Sequence, residues 1–261
     1  MKIASWNVNS LKVRLPQLLD WLAGQQPDVV CLQETKLDDP FFPRQEIEAA
    51  GYHVAFAGQK TYNGVALLAR LPLTDVVAGN PHYPDAQQRL LAATVGGLCV
   101  ICAYVPNGQA VGSDKYAYKL DWLAALNKWL GERLAANPRL VLAGDFNIAP
   151  DDRDVHDPLA WADQILCSPA ERAAFQSLLG LGLKDSFRLF EQPEKTFSWW
   201  DYRMLGFQKN RGLRIDHILL SEALAGRCTA AGVERSLRKL ERPSDHAPVT
   251  AEITELSELA D

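Results

Sequence analysis

The chain has 261 residues, 48% hydrophobic and 23% charged, with a formal net charge of -5. Those proportions are ordinary for a soluble globular protein, and the length suits one large domain over residues 1–261 that buries roughly three quarters of its unfolded surface. The acidic balance counts against a nucleic-acid partner, which favours a basic face, but clustered carboxylates around a cation would also make the total negative.

Met1 to Trp6 lacks the apolar stretch of a signal peptide, and no segment approaches membrane-spanning length, so a cytoplasmic protein with no membrane partner is expected. Lys2 to Val8 reads as a short strand that delivers Asn7 and Asn9 to its end. Leu11 to Ala23 reads as a helix with Pro16 in its first turn and Gly24 as its stop. Asp28 to Gln33 is a buried strand ending in Glu34, so a strand–helix–strand unit brings Asn7 and Glu34 to one sheet edge. Tyr52 to Ala57 and Val65 to Ala69 are strands joined through Asn63-Gly64. Leu90 to Val95 and Leu98 to Tyr104 flank Gly96-Gly97, a hairpin signal.

Cys99 and Cys102 have C-x-x-C spacing inside that last strand, with no second Cys or His pair nearby. Buried thiols in a reducing compartment are expected, not a zinc site. Lys115 to Leu134 carries Leu120, Leu123, Leu126, Leu130 and Leu134 at helical spacing, and Pro138 ends it. Leu140 to Ala143 is a buried strand that Gly144 terminates, followed by Asp145 and Asn147. Ser168-Pro169-Ala170-Glu171 is a capping box opening a helix that Gly180 and Gly182 close. Phe197 to Tyr202 is aromatic-rich, and Gln208 to Arg214 is basic and leads into a strand from Ile215 to Leu220. The polar loop Lys239 to His246 precedes the last strand, Val249 to Ile253. Strands outnumber helices and many are joined by hairpins, which points to packed mixed sheets with helices outside.

Polar residues recur at strand ends: Asn7, Glu34, Tyr104, Asp145, Asn147, Asp216, Asp245 and His246. Each alone reads as a turn or cap residue. If the four carboxylates converged, each pair near 4 Å would repel by roughly 4 kcal/mol at an effective dielectric of 20. A divalent cation offsets that, and carboxylate and amide oxygens select Mg2+ or Mn2+ over zinc. In Ser244-Asp245-His246, a carboxylate on one ring nitrogen favours the charged imidazole and leaves the other nitrogen to face a phosphoryl oxygen. Neither a nucleophile elbow nor a phosphate-cradling Gly-rich loop is present.

Trp6-Asn7-Val8-Asn9, Leu32-Gln33-Glu34-Thr35-Lys36, Tyr104-Val105-Pro106-Asn107-Gly108, Gly144-Asp145-Phe146-Asn147, Gly212-Leu213-Arg214-Ile215-Asp216 and Ser244-Asp245-His246-Ala247-Pro248 together resemble the motif series of the exonuclease III family of abasic-site endonucleases. They occur in that family's order, within the wider endonuclease/exonuclease/phosphatase superfamily. Phe197 to Arg203 and Asn210 to Arg214 resemble its DNA-repair branch.

The resemblance implies a four-layer α/β sandwich of the deoxyribonuclease I kind: two packed mixed sheets flanked by helices. It implies one Mg2+ (or Mn2+) site and cleavage of double-stranded DNA 5′ to abasic sites, with exonuclease and cleaning action at 3′ ends, by a monomer. By position, Glu34 would hold the metal with Asp245 and Asn9, though some relatives carry Asp at that last position. Asp145 would activate water, Asn147 and Asn7 would position it, and Asp216 would hold His246 against the phosphate, with Tyr104 also bonding it. Phe197, Trp200 and Leu213 would wall the pocket for a base-less sugar; some relatives carry Trp where Leu213 stands. Asn107, Lys36, Arg203, Lys209, Arg211 and Arg214 would face the DNA.

Two rival readings fit part of the same pattern. A phosphatase or diesterase acting on phosphoinositides or sphingolipids fits the shared motifs but not the aromatic and Asn-Arg-Gly-Leu-Arg segments. A non-catalytic DNA-binding relative has no need of Glu34, Asp145, Asp216 and His246 together.

Overall fold

The computed structural model describes residues 1–254. The strands in chain order are β1 (Lys2–Asn7), β2 (Val29–Gln33), β3 (His53–Ala57), β4 (Val65–Ala69), β5 (Leu73–Ala78), β6 (Leu90–Val95) and β7 (Leu98–Tyr104). They continue with β8 (Leu140–Asp145), β9 (Leu183–Asp185), β10 (Trp199–Trp200), β11 (Gly212–Leu213), β12 (Asp216–Ser221), β13 (Cys228–Val233) and β14 (Val249–Ile253). The three long helices are α1 (Leu11–Gln25), α2 (Asp114–Ala136) and α3 (Pro169–Gly180).

One six-stranded sheet runs β13-β14-β1-β2-β4-β3 and the other β5-β6-β7-β8-β12-β9, with β10-β11 as a separate ribbon. Each sheet has a parallel pair at its centre joined by a long helix, β1-α1-β2 in one and β7-α2-β8 in the other. Side chains such as Val29, Leu67, Val100 and Val141 pack between the sheets. Leu18 and Leu22 of α1 pack with Trp6 on the outer face of one sheet, and Trp122 and Leu126 of α2 pack with Phe175 of α3 on the outer face of the other. The result is helix, sheet, sheet, helix: the expected four layers. Covering both faces of a sheet explains why β2, β4 and β8 are apolar runs without alternation.

Several boundaries differ from the expected ones. Gly144 does not end β8; it lies inside the strand opposite Ala103, where a Cβ would come within 1.8 Å of the Ala103 carbonyl oxygen. Glycine there permits the approach of β7 to β8, and the strand runs one residue further to Asp145. Gly24 does not stop α1; Gln26 takes the left-handed cap at φ 45 and donates to the Leu22 carbonyl, and Pro27 then bars continuation. Pro16 lies beyond the first turn of α1. The edge strands β5 and β13 were not expected, because their largely half-exposed sequences lack an apolar rhythm. The Gly96-Gly97 hairpin is present, both glycines having positive φ, and the Ser168 capping box is complete.

Candidate active site

Register decides what meets at the sheet ends. Tyr104 lies opposite Asp145 in the parallel β7–β8 pair, and Asp216 lies opposite Asp145 in the antiparallel β12–β8 pair. On the other sheet Asn7 lies opposite Gln33, so Glu34 emerges beside it. The loop before β14 is tied to β1: Ser244 Oγ donates to the Asn7 carbonyl at 2.7 Å, and Trp6 Nε1 donates to the His246 carbonyl at 3.2 Å.

Asn7 joins the two sheets. Its Nδ2 donates to Glu34 Oε1 and to Asp145 Oδ2, both at 2.9 Å. Glu34, Asp145 and His246 each offer a ligand atom, all within 4.8 Å of one another. His246 Nδ1 lies 2.9 Å from Asp216 Oδ2, and its Nε2 faces Asp145 Oδ2 at 3.7 Å. Ser198 Oγ donates to the same Asp216 oxygen at 2.6 Å, which holds that carboxylate in place. The Asn147 backbone N–H donates to Asp145 Oδ1 at 2.9 Å, and its side-chain amide donates to the Val105 carbonyl at 3.0 Å. Asn107 Nδ2 donates to Asn147 Oδ1 at 3.1 Å.

Burial pushes the Asp145 carboxyl up to about 7; the nearby His246 charge works against this and the Asp216 charge adds to it. Burial would push the His246 ring down, but Asp216 and then Asp145 outweigh that and bring it up to about 10. Burial, then Glu34 and Asp145, holds the Tyr104 phenol well above its usual value, so it stays a hydrogen-bond donor. Near neutral pH the site therefore offers a carboxylate poised to accept a proton, an imidazolium and a phenol O–H. That set suits proton abstraction beside a developing negative charge. Glu34, Asn9, Lys36 and Asn147 all have positive φ, at 52, 44, 55 and 49. Backbone strain of that kind collects at functional sites.

Asp245 and Asn9 sit beside this group. Asn9 Nδ2 donates to Asp245 Oδ1 at 2.9 Å, and Trp199 Nε1 donates to Asp245 Oδ2 at 3.0 Å. Asn9 Oδ1 accepts from Lys36 Nζ at 2.5 Å, and the same ammonium lies 2.9 Å from Glu34 Oε2. Glu34 and Asn9 thus already turn oxygens toward one cation, which is the donor set a hard divalent ion prefers.

The aromatic positions are distributed differently from the expected pocket. Phe197, Trp200 and Leu213 are all fully buried. Phe197 and Trp200 pack with Ala247 and Phe207, whereas Leu213 packs with Val155, Leu166 and Trp199. Arg211 and Lys209 are exposed, and exposed Arg203 is paired with Asp201. Arg214 is not surface charge: it is buried, with Nε 2.7 Å from Asp154 Oδ1, Nη2 2.8 Å from Asp185 Oδ2 and Nη1 3.0 Å from His217 Nδ1. Its partners are buried carboxylates and an imidazole, so a basic run in sequence did not mean a basic face.

Residue-by-residue reading missed Ser198, Trp199 and Lys119. Lys119 Nζ is fully buried beneath the site, donating to the Asn147 carbonyl at 2.7 Å, the Asn107 carbonyl at 3.2 Å and the Glu171 carboxylate. Its signal was available: it falls in phase with Trp122, Leu123, Leu126 and Leu130, the buried stripe of α2.

The sequence pattern of the endonuclease/exonuclease/phosphatase family matches residues 4–246. Exodeoxyribonuclease III of Haemophilus influenzae is 42% identical over 97% of this chain and 99% of its own. The chain belongs to this family, on its exonuclease III branch. Among solved structures, the 3′ phosphatase NExo from Neisseria, bound to product DNA hairpin, superposes with a TM-score of 0.96 at 49% identity, covering 98% of this chain and all of that one. An AP endonuclease from Archaeoglobus fulgidus gives 0.93 at 37% identity, covering 97% and 99%. The two mixed six-stranded sheets flanked by helices are the endonuclease/exonuclease/phosphatase fold of these relatives.

Proposed function

We propose that this chain is a divalent-metal-dependent DNA repair nuclease that hydrolyses phosphate esters at 3′ ends and at the phosphodiester 5′ to abasic sites. The observation that carries the reading is the single group formed by Glu34, Asp145 and His246, with Asn7 bridging the two carboxylates. The relatives named above include an exodeoxyribonuclease, a 3′ phosphatase and an AP endonuclease.

In this reading Asp145 takes a proton from water as the water oxygen bonds to phosphorus and the P–O bond to the leaving oxygen breaks. Asn7 and Asn147 hold the Asp145 carboxylate and the water in line. His246, kept charged by Asp216, donates to a non-bridging oxygen, and the Tyr104 O–H donates to the phosphate or the leaving oxygen. Glu34, Asn9 and Asp245 would hold Mg2+ (or Mn2+), which supplies charge stabilisation for the leaving oxygen. Lys36, Asn107 and Arg211 would contact the DNA backbone. Phe197, Trp200 and Leu213 would border the sugar site; since all three are buried, admission of a base-less sugar requires the 197–213 region to open. The protein is read as a cytoplasmic monomer of one domain; no described helix is long and apolar enough to cross a membrane.

The test is purified protein with three duplexes: one with an abasic analogue, one with a 3′-phosphate at a nick, and one intact and blunt. Cleavage of either of the first two in Mg2+, abolished by EDTA and restored by added Mg2+, is expected. Equal turnover in chelator with metal shown absent would reject the metal-dependent reading. Release of phosphate from an inositol phosphate, with none of the DNA substrates attacked, would favour the non-DNA branch.

A further inference from the structure

Lys36 stands where a cation should. Its ammonium contacts Asn9 Oδ1 at 2.5 Å and Glu34 Oε2 at 2.9 Å, the two oxygens that turn toward the site from separate strand ends. The Asn9 amide has no freedom to present its nitrogen instead, because Nδ2 is committed to Asp245 Oδ1 at 2.9 Å. An aspartate at position 9 would face Asp245 and Glu34 with a third negative charge; the neutral amide leaves two, and the ammonium pairs with the Glu34 one. The backbone behind Lys36 is held independently of its side chain, since Thr35 N–H donates to the Gly64 carbonyl and Lys36 N–H to the Asn63 carbonyl. The side chain is one-quarter exposed, so the ammonium has an open path away from the site.

We propose that Lys36 is the resident counter-ion of the cation site, and that it competes with the divalent metal for Glu34 and Asn9. The inference rests on the metal-dependent reading above. A divalent ion bound by Glu34 and an ammonium touching the same carboxylate repel each other, so loading displaces Lys36. The displaced ammonium then faces the phosphate side, where it adds one contact to DNA. Without metal the ammonium offsets the Glu34 charge, and metal affinity is held down by an internal rival.

The test is Mn2+ binding to the intact protein without DNA, by calorimetry or by loss of the free-ion EPR signal. Four proteins are compared: wild type, Lys36→Met, Lys12→Met and Glu34→Gln. Lys36→Met is expected to bind Mn2+ at least ~10-fold more tightly. Lys12→Met, which removes an exposed charge on the neighbouring α1, is expected to change affinity less than ~2-fold. Glu34→Gln is expected to lose the site. Unchanged or weaker binding by Lys36→Met, with Glu34→Gln still deficient, would overturn the counter-ion role and leave the metal site standing. Equal gains in Lys36→Met and Lys12→Met would reduce the effect to general charge and also overturn it. Wild-type binding that survives Glu34→Gln would remove the metal site, and the inference with it. Thermal unfolding of each variant without metal confirms that all four are folded.

Discussion

Replacing Asp216 by Asn removes a charge while keeping an acceptor for both His246 Nδ1 and Ser198 Oγ. The Asp216 carboxylate lies 2.9 Å from the His246 ring, and at an effective dielectric of 20 that pair is worth about 6 kcal/mol, or about 4 pKa units. Wild-type His246, at about 10, is charged across the neutral range; in the variant it drops to about 6. At pH 8 about one ring in a hundred would then carry the proton, so phosphate-ester cleavage should fall about 100-fold. The pH profile separates this from a folding defect. Wild-type activity should rise through about 7 as Asp145 loses its proton, hold, and decline through about 10 as His246 loses its own. Asp216→Asn should instead give a narrow bell centred on the acid side of neutrality, recovering part of the loss as pH is lowered from 8. The assay is kcat/KM on a 3′-phosphate duplex from pH 5.5 to 10. A variant with the broad wild-type plateau would refute the claim that Asp216 keeps His246 charged.

Asp145→Asn should retain duplex binding and lose about 10²–10⁴-fold in turnover; near-native turnover with intact binding would reassign the base. Gly144→Ala should cost about 3 kcal/mol or more in denaturant unfolding, since its Cβ would meet the Ala103 carbonyl oxygen at 1.8 Å; a loss below about 1 kcal/mol would mean that β7 and β8 readily part. Arg214→Met should cost about 3–5 kcal/mol, because it leaves the buried Asp185 carboxylate without its guanidinium and Asp154 with Arg188 alone, and it should leave the slope of DNA affinity against salt unchanged. A shallower salt slope for that variant would return Arg214 to the DNA-facing surface.

Much of the layer order and nearly every residue of the central group were legible in the sequence. The reason is that buried strands announce themselves as apolar runs, and the residue after such a run is placed at a sheet end whatever the tertiary details. Glu34 and Asp145 needed only that rule, Asp216 opens its strand instead of following one, and the resemblance supplied their roles. What sequence lacked was the across-sheet pairing. Asn7 bridging Glu34 and Asp145 depends on how two sheets face each other, which no local pattern encodes. Trp199 and Trp200 are adjacent on a two-residue strand, so their side chains go to opposite faces, and composition gives no means of choosing the one that reaches Asp245. Arg214 belonged to a charged run that reads as surface until its carboxylate partners, 29 and 60 residues upstream, are brought to it. Lys119 was hidden because the leucines on α2 drew the helix phase, and the buried stripe is rotated by one position toward the lysine.

The most direct measurement is anomalous diffraction from a crystal of the protein soaked in Mn2+. One peak in direct contact with the Glu34 carboxylate, on the side where Asn9 Oδ1 and the Lys36 ammonium lie, is the predicted result. A protein that cleaves its DNA substrate yet shows no ion at Glu34 would contradict the account at its root.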